Sequence, residues 1–193
     1  MRATRQTLTA TERAALLDLA AATLERALAG LPPPAPEELD IEITPALACE
    51  GGAFVTLRRG RALRGCIGEI RATRPLWQGV QAMAVGAALR DHRFRTVTAD
   101  ELPELTLSIS VLTSPEPVAG WEEIVLGRHG ILLQRDGRSA TFLPQVPTQQ
   151  GWTLRQTLTQ LALKAGLPPD AWRTGATFLV FEAETFSASD ATT

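Results

Sequence analysis

The 193-residue chain contains no tyrosine and two cysteines, and Lys164 is its sole lysine. Two cysteines cannot form the disulfide framework that holds small secreted domains together. Because the sequence also lacks an export signal, we expect both thiols to be reduced and the protein to be cytoplasmic. The shortage of lysine and tyrosine indicates codon bias and predicts nothing about mechanism.

The sequence also lacks a long uncharged apolar run and an excess of positive charge. Its most apolar early segment, AALLDLAAATLERALAG, is interrupted by Asp18, Glu25 and Arg26 and has no cleavage site after it. The formal net charge is -2 and the pI is near 5.8, so the molecule as a whole does not attract phosphate backbones. We therefore expect neither a membrane protein nor a nucleic-acid-binding protein.

Several motifs that mark metal and nucleotide sites are absent. The two cysteines and two histidines show neither C-x₂₋₄-C nor H-x₃₋₅-H spacing, so the sequence predicts no structural metal site. No G-x-x-x-x-G-K-[ST] segment, strand-linked G-x-G-x-x-G segment or G-x-S-x-G elbow occurs. The sequence therefore predicts neither a nucleotide-binding phosphate loop nor a serine-hydrolase nucleophile elbow.

The remaining pattern predicts a single α+β domain over residues 1–193, with an antiparallel or mixed sheet and flanking helices. Helical spacing predicts helices over roughly 11–29 and 75–90, and the proline-rich segment at roughly 31–38 predicts a stiff connector. Turn signals predict hairpins at Gly60 and at Asp136-Gly137. Further predictions are a proline-bearing loop over LPQVPTQQGW, a helix after Thr153 and one final strand, TFLVFEAETF.

Cys66 is the most informative residue, because it lies between glycines in ALRGCIGEI on the second strand of the first hairpin. Side chains two positions apart on a strand share a face, which predicts Arg64 about 7 Å from Cys66. Positive charge favours the nucleophilic thiolate. The competing interpretation is that Cys66 is a packing residue, since free cysteines are often buried and strand glycines often mark bulges.

The other sulfur and imidazole groups give weaker signals. Cys49 lacks the dense flanking glycines and arginines, and we expect it to pack in the core. His129 lies between glycines before a strand, where it could act as a base toward Cys66 or bond a nearby backbone group. His92 lies between Asp91 and Arg93, which indicates a salt-linked turn.

Taken in order, the segments FVTL, LRGCIG, DHRF, ELPELTLSISVLTSPEPV, GRHGILL, GRSATFLPQVP and LALKAGLPPDAW resemble the AMMECR domain family over about residues 10–186. The resemblance implies a compact α+β domain with a larger and a smaller lobe around a cleft near the cysteine motif. It places the family signature on residues 63–68, including Arg64, Gly65, Cys66 and Gly68. The family's other recurrent polar positions fall on Asp91, Arg93, His129 and Gln145.

The resemblance also implies partners and shows departures. Prokaryotic relatives are associated with a Memo-type protein and a radical SAM protein in the AmmeMemoRadiSam system, with no defined reaction or cofactor. His92 stands where relatives usually have proline, Gln149 where many have glutamate, and Thr153 where aspartate is common. If either carboxylate were an essential acid or base, this chain would be impaired, because an amide does not exchange a proton at neutral pH.

Two hypotheses from different classes follow. In the first, the chain is an enzyme or enzyme component in which Cys66 forms a covalent or metal-bound intermediate and His129 and Asp91 handle protons. Arg64, Arg93, Gly65, Gly68 and Gln145 would then contact the substrate, with the arginines holding an anionic group. In the second, the domain is a non-catalytic module that presents LRGCIG and FLPQV to a small anionic ligand or a partner protein.

Overall fold

The computed structural model describes residues 7–71 and 73–188. Contacts divide the chain into two compact units, a larger one of Met1–Leu112 with Glu184–Thr193 and a smaller one of Thr113–Ala183. Helices and antiparallel four-stranded sheets both contribute, which confirms the predicted α+β class with a larger and a smaller lobe. Among the described residues, every helix is too short or too polar to cross a bilayer.

The elements follow one another along the chain without a regular β-α-β rhythm. In order they are α1 (Ala10–Leu28), α2 (Pro45–Ala48), β1 (Ala53–Arg59), β2 (Ala62–Glu69), α3 (Leu76–Leu89), β3 (Leu105–Leu112), β4 (Glu116–Val118), β5 (Gly130–Arg135), β6 (Arg138–Phe142), α4 (Gln145–Gln150), α5 (Leu154–Lys164), β7 (Thr177–Phe181) and β8 (Ala183–Ser187). Short 3-10 helices lie at Pro36–Leu39, Ala99–Glu104, Trp121–Glu123 and Ala171–Arg173.

The larger unit is a sheet with strand order β2-β1-β3-β8, covered on one face by α3, against which α1 packs. Strand β1 pairs antiparallel with β2 on one side and with β3 on the other. Alternate residues of β1, namely Ala53, Val55 and Leu57, are fully buried on the face that meets α3. The opposite face of the sheet carries the intervening residues.

Two predicted helices of the larger unit begin and end within a residue or two of the predicted bounds. Helix α1 begins after Thr9, whose hydroxyl accepts from the Glu12 N–H while the Glu12 carboxylate accepts from the Thr9 N–H. This reciprocal arrangement satisfies two free N–H groups of the first turn. Helix α3 begins directly after Pro75, which is the N-cap residue.

The smaller unit is a sheet with strand order β4-β7-β5-β6, and α5 packs on it. The β5–β6 hairpin turns at Asp136 and Gly137, whose φ angles are 50° and 73°. Two successive positive φ values match the right-handed twist of the flanking strands, which confirms the predicted hairpin.

Two sequence predictions are wrong in this unit. The expected loop LPQVPTQQGW contains helix α4, because Pro147 lies in the first turn, where its missing N–H costs nothing, and Gly151 ends the helix with a φ of 65°. The expected single strand TFLVFEAETF is two strands. It breaks at Glu182, so that β7 belongs to the sheet of the smaller unit and β8 to the sheet of the larger unit.

Each unit has its own hydrophobic core. In the larger unit the core lies between the sheet and helices α1 and α3, and it includes Leu16, Leu57, Val80 and Ile109. In the smaller unit it lies between the sheet and α5, and it includes Ile131, Leu133, Leu158 and Leu161. All eight of these side chains are fully buried.

Candidate functional site

Cys66 lies on β2, the edge strand of the larger unit's sheet. It is directly opposite Thr56 on β1, while its neighbour Gly65 is opposite the buried Leu57. Residues directly opposite in an antiparallel pair share a face. The Cys66 side chain therefore projects from the face that α3 does not cover, and it is partly exposed.

Packing accounts for both glycines of the motif. A Cβ on Gly65 would lie 2.0 Å from the carbonyl oxygen of Ala87 in α3, so only glycine lets the helix approach this closely. A Cβ on Gly68 would lie 2.1 Å from the ring of Phe54, which covers that position. The space beside each glycine is thus filled by the protein itself, whereas their predicted role was contact with a substrate.

The backbone of Cys66 is anchored on its outer side by two side chains that follow α3. The Asp91 carboxylate accepts from the Cys66 N–H at 2.8 Å, and the Arg93 guanidinium donates to the Cys66 carbonyl oxygen at 3.1 Å. Asp91 and Arg93 also form an ion pair with an N–O distance of 2.6 Å. An edge strand leaves alternate N–H and C=O groups unpaired, and this pair satisfies those of Cys66.

The charges of this pair are fixed. The hydrogen bond from Arg93, with smaller contributions from the N–H groups of Cys66 and Arg93, lowers the pKa of Asp91 to about 2 although burial opposes the shift. The same bond raises the pKa of Arg93, and attraction to the Cys66 sulfur adds to the rise. An Asp91 with this pKa carries no proton at neutral pH, so its contacts favour a positioning role over the predicted proton transfer.

The sulfur of Cys66 has a defined polar partner. The Thr56 hydroxyl donates a hydrogen bond to Sγ at a distance of 3.3 Å. The Cys66 sulfur is therefore partly exposed and hydrogen-bonded, unlike a cysteine packed in an aliphatic core.

Arg64 does not lie as strict strand alternation predicted. The β1–β2 register shifts so that Leu57 is opposite Gly65 while Arg58 is opposite Leu63, which leaves Arg64 as the extra residue of a bulge. Its guanidinium forms two hydrogen bonds with Glu101, at 2.9 and 2.8 Å, and donates to two backbone carbonyls.

Arg64 forms an ion pair with Glu101, so its positive charge is not free to act on the Cys66 thiol. The bond from Arg64 is the main reason that the pKa of Glu101 falls to about 2, so both groups are ionised and neutralise one another. Arg64 thus ties β2 to the segment after α3. Arg93 is likewise paired with an ionised carboxylate, that of Asp91, so neither arginine is an unmatched positive charge beside Cys66.

Cys49 was predicted to pack in the core, and that prediction is wrong. It is the C-cap residue of α2 and its side chain is exposed. The backbone explains the position, because the Cys49 N–H donates to Pro45 and its carbonyl accepts from Leu76. These main-chain hydrogen bonds fix the backbone of Cys49, and its side chain remains exposed to solvent.

His129 and Gln145 belong to the smaller unit, whereas Cys66, Asp91 and Arg93 belong to the larger one. The His129 Nδ1 accepts from the Val125 N–H at 3.1 Å. Burial, helped by the charge of Arg128, lowers the pKa of His129, so its imidazole is neutral at pH 7 and carries its proton on Nε2. In this form Nε2 is a hydrogen-bond donor. Gln145 is the first residue of α4.

Two residues of the Cys66 surroundings were not identified from the sequence. Thr56 alternates with the buried residues of β1, and this alternation could have placed it on the exposed face but not opposite Cys66. Glu101 accepts from the Thr98 N–H at 3.0 Å, a local capping contact, but its bond to Arg64 spans 37 positions. In the described parts of the chain, no three His, Cys, Asp or Glu side chains are grouped so as to hold a metal ion.

The AMMECR1 family model matches residues 17–186, which include the whole smaller unit, most of the larger unit and the whole cysteine motif. The chain belongs to the AMMECR1 family. A relative from Methanosarcina mazei is 34% identical over 188 residues, covering 95% of this chain and 94% of that protein. The protein MJ0810 from Methanocaldococcus jannaschii is 37% identical over 177 residues, covering 86% and 85%.

A solved structure shows the same AMMECR1 fold. The crystal structure of the uncharacterized protein PH0010 from Pyrococcus horikoshii matches with a TM-score of 0.81 and 34% sequence identity. The match covers 89% of each chain.

Proposed function

We propose that Cys66 is the reactive group of this AMMECR1 domain, in an enzyme or enzyme component of a cytoplasmic modification pathway. The observation that carries the proposal is the hydrogen bond from the Thr56 hydroxyl to a partly exposed Cys66 sulfur. A thiol serves as a nucleophile or metal ligand as thiolate, and a hydroxyl that donates to the sulfur can bond that form.

The remaining residues take supporting roles in this proposal. Asp91 and Arg93 fix the backbone of Cys66 on both sides, so the sulfur is held in one position before any substrate arrives. Arg93, whose side chain is 58% exposed, also has guanidinium surface left to hold an anionic group of a substrate.

The proposed partners are a Memo-type protein and a radical SAM protein. This part of the proposal rests on the family resemblance, since prokaryotic relatives are associated with both. Cys66 would hold its covalent or metal-bound intermediate within that pathway.

The proposal is tested by complementation of a deletion strain with Cys66→Ser. Serine is nearly isosteric but a much weaker nucleophile, so we expect complementation to be lost while the urea midpoint of the purified protein is unchanged. Cys49→Ser is the matched control and should complement fully, because Cys49 is exposed and lies outside the motif. Full complementation by Cys66→Ser would contradict the enzyme proposal.

A second candidate is a recognition module without chemistry at Cys66. It is favoured by the packing of both motif glycines and by the anchored backbone, which would make LRGCIG a rigid surface for a partner protein or a small anionic ligand. A recognition module predicts that Cys66→Ser complements and that Cys66→Trp, which fills the surface, does not. The enzyme proposal predicts that both variants fail.

A further inference from the structure

A second site lies in the smaller unit, away from the cysteine motif. It is a pocket of about 250 Å³ against one face of α5 and the short helix Ala171–Arg173. Arg155 and Thr159 lie four positions apart on one face of α5, and Trp152 lies just before the N-cap residue of that helix. Trp172 and Arg173 contribute from the other side.

Two guanidinium groups in this pocket have no acidic partner. Within residues 7–71 and 73–188, the side chains of Arg155 and Arg173 form no hydrogen bond and no ion pair, and Arg173 lies over the Trp172 ring at 5.0 Å. No carboxylate lines the pocket. Arg64 and Arg128, by contrast, are paired with glutamates. Two unmatched cations at one concavity favour an anionic ligand.

The neutral polar groups of the pocket also present donors. The Gln156 Oε1 already accepts from the N–H and the hydroxyl of Thr153, at 2.9 and 3.0 Å, so the NH₂ group is the part of this amide that can donate to a ligand. The Thr159 hydroxyl accepts from the Trp172 indole at 3.2 Å, so its own proton is free to donate. Gln160 adds an amide, whose NH₂ group donates hydrogen bonds and whose oxygen accepts them. A donor-rich pocket is complementary to a ligand rich in acceptor oxygens, such as phosphate.

The indole rings supply a rigid apolar wall. Trp172 is 4% exposed and is braced by Trp121, with ring centroids 5.2 Å apart and planes at 83°. Trp152 packs against Phe142 at 5.7 Å. Aromatic walls with a few polar groups are typical of pockets for small organic molecules, and 250 Å³ suits a small one.

We propose that this pocket binds a small organic phosphate. Arg155 and Arg173 hold its phosphate group, the Gln156 amide and the Thr159 hydroxyl donate to the remaining oxygens, and Trp152 covers its carbon skeleton. The site lies entirely in the smaller unit and does not depend on the proposed role of Cys66.

Calorimetric titration of the full chain tests the proposal, with phenyl phosphate, inorganic phosphate and a phosphoserine peptide as probes. We expect saturable binding of phenyl phosphate, tighter than that of inorganic phosphate because the ring meets Trp152. Arg155→Gln and Arg173→Gln should each weaken it at least about tenfold, since charge-assisted hydrogen bonds are the strong ones. Trp152→Leu should remove the preference for phenyl phosphate over inorganic phosphate.

The matched control is Arg61→Gln, which removes the same charge from an exposed turn of the larger unit and should leave binding unchanged. Absence of saturable binding at millimolar phenyl phosphate, or equal weakening by Arg61→Gln, would overturn the proposal. Tighter binding of the phosphoserine peptide would overturn the assignment to a small molecule. Cys66→Ser should leave the titration unaltered, so the two proposals fail separately.

Discussion

Among single residues, Asp91 is a buried carboxylate that remains ionised. Its side chain is 4% exposed, it is ionised, and it accepts from the Cys66 N–H as well as from Arg93. A buried carboxylate is tolerable only when its charge and its hydrogen-bonding capacity are matched, and here Arg93 and Cys66 together match both. Stability and motif geometry therefore depend on the same side chain.

Asp91→Asn should destabilise the protein by about 2 kcal/mol at pH 7, because the pKa of Asp91 falls from 3.8 to about 2 on folding. A lowered carboxyl pKa gives stability that is complete above pH 4 and is lost as the pH falls toward 2. Urea unfolding at pH 7 and at pH 2 measures this loss. The difference in unfolding free energy between wild type and variant should be smaller at pH 2.

The control for this prediction is Asp100→Asn, since Asp100 is exposed and its substitution should change the unfolding free energy by less than about 0.5 kcal/mol. A penalty for Asp91→Asn that is as large at pH 2 as at pH 7 would show that lost packing, and not the ionised carboxylate, causes the effect.

Thr56 is the residue that tests the sulfur's hydrogen bond alone. Thr56→Val keeps the shape of the side chain and removes the donor to Cys66 Sγ. We expect the alkylation rate of Cys66 to fall about fivefold, which corresponds to one hydrogen bond of about 1 kcal/mol. Thr56→Ser retains the donor and should keep most of the rate, whereas an equal fall in both variants would exclude the hydroxyl as the cause.

At the scale of elements, the contact between α3 and β2 explains the first glycine of the motif, Gly65. Gly65 faces the helix, and the carbonyl of Ala87 fills the space that a side chain would need. The helix in turn delivers Asp91 and Arg93 just beyond its last residue, Leu89. Close packing of α3 is thus what brings the anchoring pair to Cys66.

Gly65→Ala should cost about 3 kcal/mol, because the added methyl group meets backbone that cannot move without shifting α3. Gly51→Ala is the matched control, since its nearest contact is an ordinary 3.5 Å to Leu76 and its effect should stay within about 1 kcal/mol. Thermal and urea unfolding of the two variants provide the comparison. Equal stability of the two would show that α3 is not in tight contact with β2.

Local signals predicted elements well where local physics decides them. The capping pair Thr9 and Glu12 fixed the start of α1, and Asp136-Gly137 fixed the β5–β6 turn. The predicted loop over LPQVPTQQGW was wrong because proline is common both in loops and in the first turn of a helix, and Pro147 lies in the first turn of α4. The resemblance to the family singled out Asp91 and Arg93 together with Cys66, and the structure shows that the three are in contact. The bulge at Arg64 and its bond to Glu101 depend on pairings distant in sequence, which a single sequence does not contain.

For the whole molecule, the central feature is that each unit has its own buried core. The chain leaves the larger unit after Leu112 and returns to it at Glu184. A cavity in one core should therefore loosen that unit first.

Leu161→Ala should cost about 2–5 kcal/mol and should lower amide protection in β5 and β7 more than in β1 and β3. Leu57→Ala, at an equally buried position of the larger unit, should give the reverse pattern. Native-state hydrogen exchange of both variants measures the two protection patterns. A uniform loss of protection in both variants would mean that the chain opens only as a whole.

The central claim concerns the sulfur of Cys66, and Cys49 in the same chain provides an internal reference. Cys49 is exposed while Cys66 is partly covered, so exposure alone predicts faster modification of Cys49. The measurement is the rate of iodoacetamide alkylation of each cysteine at pH 7, followed by peptide mass spectrometry of the native protein. Our account predicts that Cys66 reacts faster despite its lower exposure, and faster reaction of Cys49 would contradict it.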